Sequence, residues 1–415
     1  MTKSPFETSA NIQDLTRRVG QFMEREVYPA EATYYAQEAA SDNRWTWQPI
    51  LRELRAKAKS QGLWIFPMDR EVGGMGLSLL DYAPLAEIMS TSPFGTEVFN
   101  CYTGMIWYIK LINDHATPAV KERFLRRLVD GEIRAAINIT EPDVPGSDPT
   151  DLKFDARREG DEYVLSGRKV WATGSMMKEC EATLVLVRTN QDAPRHARHS
   201  IIVVPRDAPG LTVEGYDTCF GYDHAPYGHA RMRFDNVRVP LENLLGKEGE
   251  GFAMMQANMG IGRIAIAMGG VGAAERALRE MCKWGDERVI SGQKLSERGV
   301  FVDAVARSRA EIDQMRSHVL RTAWMIDTLG MKAARSEVAQ CKVLAPNMAL
   351  AVLDRAIQFH GGAGVAHDRP LAEMYAYQRV SRIGEGADEV HREFIARLEL
   401  NRQRELRAAK GAPAR

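Results

Sequence analysis

The run ATLVLVRTNQDAPRHARHSIIVVP (182–205) decides the fold. Its ends, ATLVLVRT (182–189) and SIIVVP (200–205), are rich in β-branched and aliphatic residues, and NQDAPRHAR (190–198) between them is a polar turn. Such runs suit a pleated surface, whereas a helix needs apolar residues three and four apart. Upstream, Tyr163-Val164-Leu165, then Ser166-Gly167, then Val170-Trp171 reads as a hairpin with a short turn. Downstream, ARMRFDNVRV (230–239) alternates apolar and polar side chains, as a strand with one buried face does. An antiparallel β segment is expected over 137–249.

On either side the helical period takes over. Leu15, Val19, Phe22 and Met23 share one face, and Ile50, Leu51, Leu54 and Ala58 share another that ends near Gly62. Leu79 to Met89 is a third stretch, and Glu122, Arg123, Arg126 and Arg127 line the polar side of a fourth. The glycine-rich loop EVGGMGLS (71–78) interrupts them. Beyond 250, Ala265 to Met281 is dense in small residues, which suits a bundle core or a subunit contact. Phe301 to Leu329 and Val338 to Phe359 have the length of bundle helices, the latter stopping at Gly361-Gly362. A last helix is expected from about Asp388 to Ala408, followed by an unstructured tail, KGAPAR (410–415). The class is α+β, with no internal repeat: an N-terminal helical domain (1–136), a middle β domain (137–249) and a C-terminal helical bundle (250–415). That order favours an enzyme with its site between domains.

Composition narrows the partners. Lys+Arg and Asp+Glu both number 55, so there is no basic surplus of the kind nucleic acid demands. A local basic patch for a phosphorylated ligand stays open. No apolar run nears the roughly 18 residues of a membrane span, and MTKSPFETSANIQDL shows no secretory h-region. The five cysteines are scattered, without a CxxC pair, and read as small core residues in a reducing, cytoplasmic compartment. HExxH, GxSxG and GxxxxGK are absent, and Gly260-x-Gly262 lacks the preceding strand of a dinucleotide fold. His196, His199, His224 and His229 have no completing carboxylate or cysteine pattern, so no metal is expected and surface-turn histidines are the reading.

Four collinear segments carry more: TEPDVPGSD (140–148), GRKVWATG (167–174), QFHGGAGV (358–365) and IGEGADEV (383–390). In this order and at these separations the chain resembles the acyl-CoA dehydrogenase family over about residues 12–405, including GLWIFPMDREVGGMGLS (62–78) and FDNVRVPLENLLGKEGEGF (234–252). FGYDHAPYGHARMRFDNVRVP (220–240) and EGADEVH (385–391) are most similar to the dehydrogenase domain of the branch fused, in animals, to an aminoglycoside-phosphotransferase-like kinase. No kinase segment is read in these 415 residues, so the dehydrogenase portion alone is expected.

The resemblance implies FAD as cofactor, an acyl-CoA thioester as substrate and an electron-transfer flavoprotein as acceptor. A proton leaves the carbon beside the thioester and a hydride the next carbon, which requires a base, an acceptor and donors to the carbonyl. It makes Glu385 the base, with Gly386 beside the substrate. Burial by the acyl chain and flavin would raise that carboxyl toward the working pH. From the residues alone, Glu385, Asp388 and Glu389 also read as acids favoured at a helix start, with Asp388 the N-cap. The kinase-fused branch tends to carry Asp at the base position, and Glu385 is the commoner family residue.

The resemblance further assigns Ile139, Thr140, Gly146 and Ser147 to a flavin-side loop, with Ser147 also near the thioester arm. An ordinary turn is the other reading. Trp171 and Thr173 resemble the pair that covers and hydrogen-bonds the flavin ring, against a plain buried strand tryptophan. Arg288, Gln358 and Gly362 resemble positions reaching the FAD diphosphate and adenosine, often from a neighbouring subunit, which implies a homodimer or homotetramer. Glu389 joins the cofactor set. Arg288 also reads as a helix-surface charge. Arg263 resembles an arginine beneath the substrate site, and a structural ion pair competes with that role. The chain departs from the pattern in a flavin loop one residue longer than TEPGAGSD, in Ile290-Ser291 for Thr-Phe, in Ala387 for threonine and in Gly384 for an aromatic. The last leaves space for a branched or hydroxylated acyl group. The rival functions are an acyl-CoA oxidase or flavin monooxygenase on the same fold, and a non-catalytic CoA-ester-binding protein.

Overall fold

Ile12, Leu15, Val19 and Phe22 are buried along one face of helix α1 (Ala10–Phe22), the stripe read from sequence. The structure is a computed structural model that describes residues 9–411. The leader reading at residues 1–8 and the tail at 412–415 lie outside the described residues. A π-helical turn, Met23–Val27, joins α1 to α2 (Tyr28–Ala40). Then come α3 (Pro49–Ser60), α4 (Leu79–Met89) and α5 (Thr103–His115). Ser78 caps α4, its hydroxyl accepting from the Asp81 N–H.

The strands are β1 (Arg134–Asn138), β2 (Ala156–Glu159), β3 (Glu162–Thr173), β4 (Cys180–Arg188), β5 (His199–Pro205), β6 (Leu211–Asp217), β7 (His229–Pro240) and β8 (Leu244–Leu245). They form two four-stranded sheets, ordered β1-β4-β5-β8 and β2-β3-β7-β6. Val185, Val187, Ile202 and Val204 from the first pack against Leu165, Ala172, Met232 and Phe234 from the second. The pairing is antiparallel except for β1 and β4, which are parallel.

The expected hairpin over 163–171 is not one. Residues 162–173 form the single strand β3, and Ser166-Gly167 is a bulge where the register against β7 shifts. Gly167 has φ 147°, and a Cβ there would lie 2.4 Å from Phe154 Cδ2, so the glycine serves close packing and not a chain reversal. The reversal comes earlier, at Gly160-Asp161 between β2 and β3.

The chain divides into two compact units, Ala10–Gly262 and the part from Arg263 onward. The second contains most of α6 (Gly251–Glu287), then a short hairpin of β9 (Val289–Ile290) and β10 (Gln293–Lys294), α7 (Gly299–Leu329), α8 (Met331–His360), α9 (Pro370–Ser381) and α10 (Asp388–Gly411). Ala267, Met268, Val271, Ala274 and Ala277 of α6 are buried, and a Cβ on Gly270 would sit 3.2 Å from the Ala345 carbonyl oxygen of α8. The small residues thus let these helices approach closely. Helix α8 ends at Gly361, φ 62°, as its glycines imply. Among the described residues, no helix is long and apolar enough to cross a membrane, and no group of His, Cys, Asp and Glu could hold a metal. All five cysteines are free.

Candidate active site

Glu385 lies in the loop between α9, which ends at Ser381, and α10, which starts at Asp388. It takes a left-handed conformation itself, φ 54°, followed by Gly386 at φ 96°. A Cβ on Gly386 would lie 2.8 Å from His391 Nε2, so only glycine fits there. A Cβ on the exposed Gly384 would meet only the Val380 carbonyl oxygen, at 3.8 Å.

Side chains from two helices hold the loop by its backbone. Lys342 Nζ donates to the Ser381 carbonyl at 2.7 Å and the Gly386 carbonyl at 3.0 Å. His391 Nε2 donates to the Glu385 carbonyl at 3.2 Å. Asp388 Oδ2 accepts from Arg382 Nε at 2.8 Å and from Asn347 Nδ2 at 3.0 Å. The expected N-cap at Asp388 is therefore not formed. Asp388 is the first residue inside α10, buried, and its carboxylate turns to Arg382 and Asn347 instead of the helix amides.

The electrostatics follow from this packing. Glu385 is exposed, yet the protein around its carboxylate raises its pKa by desolvation, outweighing the pull of Arg263 and Lys342 in the other direction. Burial would also raise Asp388, but the bonds from Asn347 and Arg382 hold it below the usual carboxylate range. Burial lowers Lys342 and Arg263, opposed in each case by the Glu385 charge. His391 is pushed down to about 4, by burial first and then by Arg263. Glu389 stands apart, 77% exposed and 3.7 Å from Arg392.

A second cluster in this unit gathers around Trp284. The guanidiniums of Arg288 and Arg369 lie 5.7 and 4.8 Å from its ring, His360 stacks on it at 5.0 Å, and its Nε1 donates to the Phe359 carbonyl at 3.1 Å. Arg288 thus shares Trp284 with Phe359 and His360, which lie in sequence between Gln358 and Gly362, both of them exposed.

In the unit 10–262, the flavin-loop residues also come together. Lys169 Nζ donates to the Ile139 carbonyl at 2.8 Å, and the Val170 amide to the Thr140 carbonyl at 2.9 Å. A Cβ on Gly146 would sit 3.2 Å from Thr140 Cγ2, so the loop doubles back on itself, with Gly146 and Ser147 exposed. Its root is the buried pair Lys169–Glu141, 2.9 Å apart. Glu141 also accepts the Lys153 and Phe154 amides at 2.8 and 3.0 Å. Trp171 sits in a second bulge of β3, φ 57°, and is 46% exposed, so it is not the buried strand tryptophan of the alternative reading. Thr173 Oγ1 lies 2.9 Å from His229 Nδ1.

The histidines correct the surface-turn reading. Only His196 is exposed; His199 and His229 are buried on strands and His224 is half-buried, its ring 5.1 Å from His229. They fill the β domain instead of decorating it. Sequence reasoning also missed Lys342, His391 and Arg369. Lys342 had a signal: it stands on the apolar stripe Val338, Ala345, Ala349, where a lysine must be buried or displaced.

Comparison with known proteins agrees along the whole chain. Residues 9–132, 136–237 and 249–400 match the N-terminal, middle and C-terminal domains of acyl-CoA dehydrogenase. A probable acyl-CoA dehydrogenase of Mycobacterium tuberculosis, FadE2, is 43% identical over 406 residues, covering 97% of this chain and 99% of that protein. Acyl-CoA dehydrogenase family member 11 of Gallus gallus is 40% identical over 98% of this chain, which spans only 52% of its length. A solved structure of a candidate acyl-CoA dehydrogenase from Mycobacterium abscessus superposes with a TM-score of 0.92 at 40% identity, over 96% of this chain and 100% of that one. The chain belongs to the acyl-CoA dehydrogenase family of FAD-dependent oxidoreductases.

Proposed function

We propose that the chain desaturates an acyl-CoA thioester to a 2-enoyl-CoA, with Glu385 taking the proton from the carbon next to the carbonyl. The observation that carries this is geometric: Glu385 sits in a left-handed turn whose backbone Lys342 and His391 clamp, with desolvation raising its carboxyl besides. A carboxylate at its ordinary pKa of about 4.3 is a poor base, and abstraction improves as that value moves toward the working pH. FAD, when bound, accepts the hydride from the adjacent carbon at N5.

The residues present fit that cofactor. The Trp171 indole, 46% exposed in its bulge, offers an apolar face to a flat ring, with Thr173 on the same strand and Thr140 in the loop, its carbonyl accepting from the Val170 amide. Ile139, Gly146 and Ser147 complete that side. Arg288 and Glu389, with Gln358 and the open backbone at Gly362, would serve the diphosphate and adenosine, an assignment that makes a homodimer or homotetramer the working unit. Ser147, Arg263 and Gly386 are the substrate contacts. The domains are 1–136, 137–249 and 250–415. An electron-transfer flavoprotein as acceptor and a cytoplasmic setting complete the reading.

Glu385→Gln tests it. The variant should purify yellow with an unchanged FAD-to-protein ratio and lose turnover by about 100-fold or more, the usual worth of a general base. A variant that still bleaches anaerobically with acyl-CoA esters at the normal rate moves the base elsewhere. Fast reoxidation of the reduced enzyme in air would make it an oxidase.

A further inference from the structure

Lys342 has no accessible surface, and an ammonium buried to that degree must be compensated. Its hydrogen bonds go to two backbone carbonyls, not to a carboxylate. Those carbonyls are chosen by position. Ser381 closes α9, whose C-terminal carbonyls favour a cation. Gly386 follows Glu385 directly. Lys342 therefore closes the loop at both ends, and His391, from the first turn of α10, holds the Glu385 carbonyl between them. A non-glycine residue in the left-handed region persists only where its surroundings impose it.

We propose that Lys342 is a positioning residue for the base: its ammonium, assisted by His391, ties Ser381 to Gly386 and so imposes the left-handed turn that aims Glu385. The proposal rests on the reading of Glu385 as base. It has an electrostatic side. The charges acting on Glu385 are Arg263 on α6 and Lys342 on α8; His391 on α10 bonds its carbonyl, and Arg382 and Asp388 pair with each other at the two ends of the loop. Of these, Arg263 and Lys342 pull the Glu385 carboxyl down against the desolvation that raises it. Removing Lys342 therefore both frees the loop and raises the proton affinity of the base.

The test compares Lys342→Met and Lys342→Arg holoenzymes with the parent. Lys342→Met should speed exchange of the hydrogen-bonded amides of residues 382–384 and 388 about tenfold and lower turnover about 10- to 100-fold, within what a misplacement of about 1 Å costs. The acidic limb of the rate of flavin bleaching against pH should move upward, with FAD content unchanged. Lys342→Arg, which keeps the charge and donors, should recover part of both effects. Parental loop exchange together with an unmoved acidic limb in Lys342→Met overturns the proposal. If neither variant folds, the parent enzyme decides: the Ile383, Gly384 and Asp388 amides bond within the loop, to the Val380 and Arg382 carbonyls, and their exchange at unprotected rates means no clamp exists. If Glu385→Gln stays active while Lys342→Met still loosens the loop, the assignment of the base has failed and the clamp has not.

Discussion

Thr173 and His229 face each other across β3 and β7, register partners whose Oγ1 and Nδ1 are 2.9 Å apart. His229 is buried, and burial lowers its pKa, which favours the neutral ring. Its Nε2 has no hydrogen-bond partner among the described residues. A neutral imidazole carries one N–H. Placing it on Nδ1 satisfies it at Thr173 and leaves only a lone pair unmet, the cheaper of the two tautomers. The Thr173 hydroxyl then accepts from His229, and its own proton is free to point elsewhere. His229→Phe removes the hydrogen bond and the unmet nitrogen together, so stability should change by about 1 kcal/mol or less. FAD retention after gel filtration, read from the ratio of flavin to protein absorbance, should fall. An unchanged ratio would detach His229 from the cofactor.

The same pair shows what a sequence displays and what it hides. Thr173 was legible because GRKVWATG is contiguous; its partner lies 56 residues away and exists only once β3 and β7 align. Glu385 could be singled out for the first reason, as the proposed base, and Lys342, 44 residues before Gly386, was hidden for the second. Ser166-Gly167 misled because a turn and a bulge use the same residues, and only the Phe154 ring above Gly167 distinguishes them. Asp388 misled because a helix that starts at the acid, not after it, turns a cap into an ion-pair partner.

Glu97 should be the most sensitive buried charge of the unit 10–262. It is fully buried and accepts from Arg55 at 2.7 Å, from the Trp47 indole at 2.9 Å, from the Tyr227 hydroxyl at 3.3 Å, and from Arg134. Two guanidiniums thus share one carboxylate. The excess positive charge sits against the Tyr102 and Tyr227 rings, 5.0 and 5.1 Å from Arg134, and burial lowers Arg55 to about 10. Glu97→Gln leaves both cations without an anion and should cost about 3–5 kcal/mol, the usual loss on breaking a buried pair from one side. Arg134→Met leaves Glu97 still paired with Arg55 and should cost less. Urea unfolding of the two variants gives the order, and a reversed order would refute this account of the network.

Acid should weaken the fold well above the range where carboxylates titrate. His224 is pushed down to about 3 and His391 to about 4, in both cases mainly by burial. A histidine depressed in the folded state binds its proton more readily unfolded, so its contribution is intact above the unfolded pKa of about 6.5 and is lost as pH falls toward the folded value. At pH 5 each of the two removes about 2 kcal/mol relative to pH 7 or above. Glu385, raised in the folded state, works the other way in this window, since it binds a proton more readily folded. The histidines outnumber it, and the melting temperature should drop between pH 7 and pH 5. His391→Gln can still donate to the Glu385 carbonyl but does not titrate, so the part of the drop that belongs to His391 should vanish in that variant. Equal melting temperatures at the two pH values in the parent protein would mean that these rings are protonated, or hydrated, within the fold.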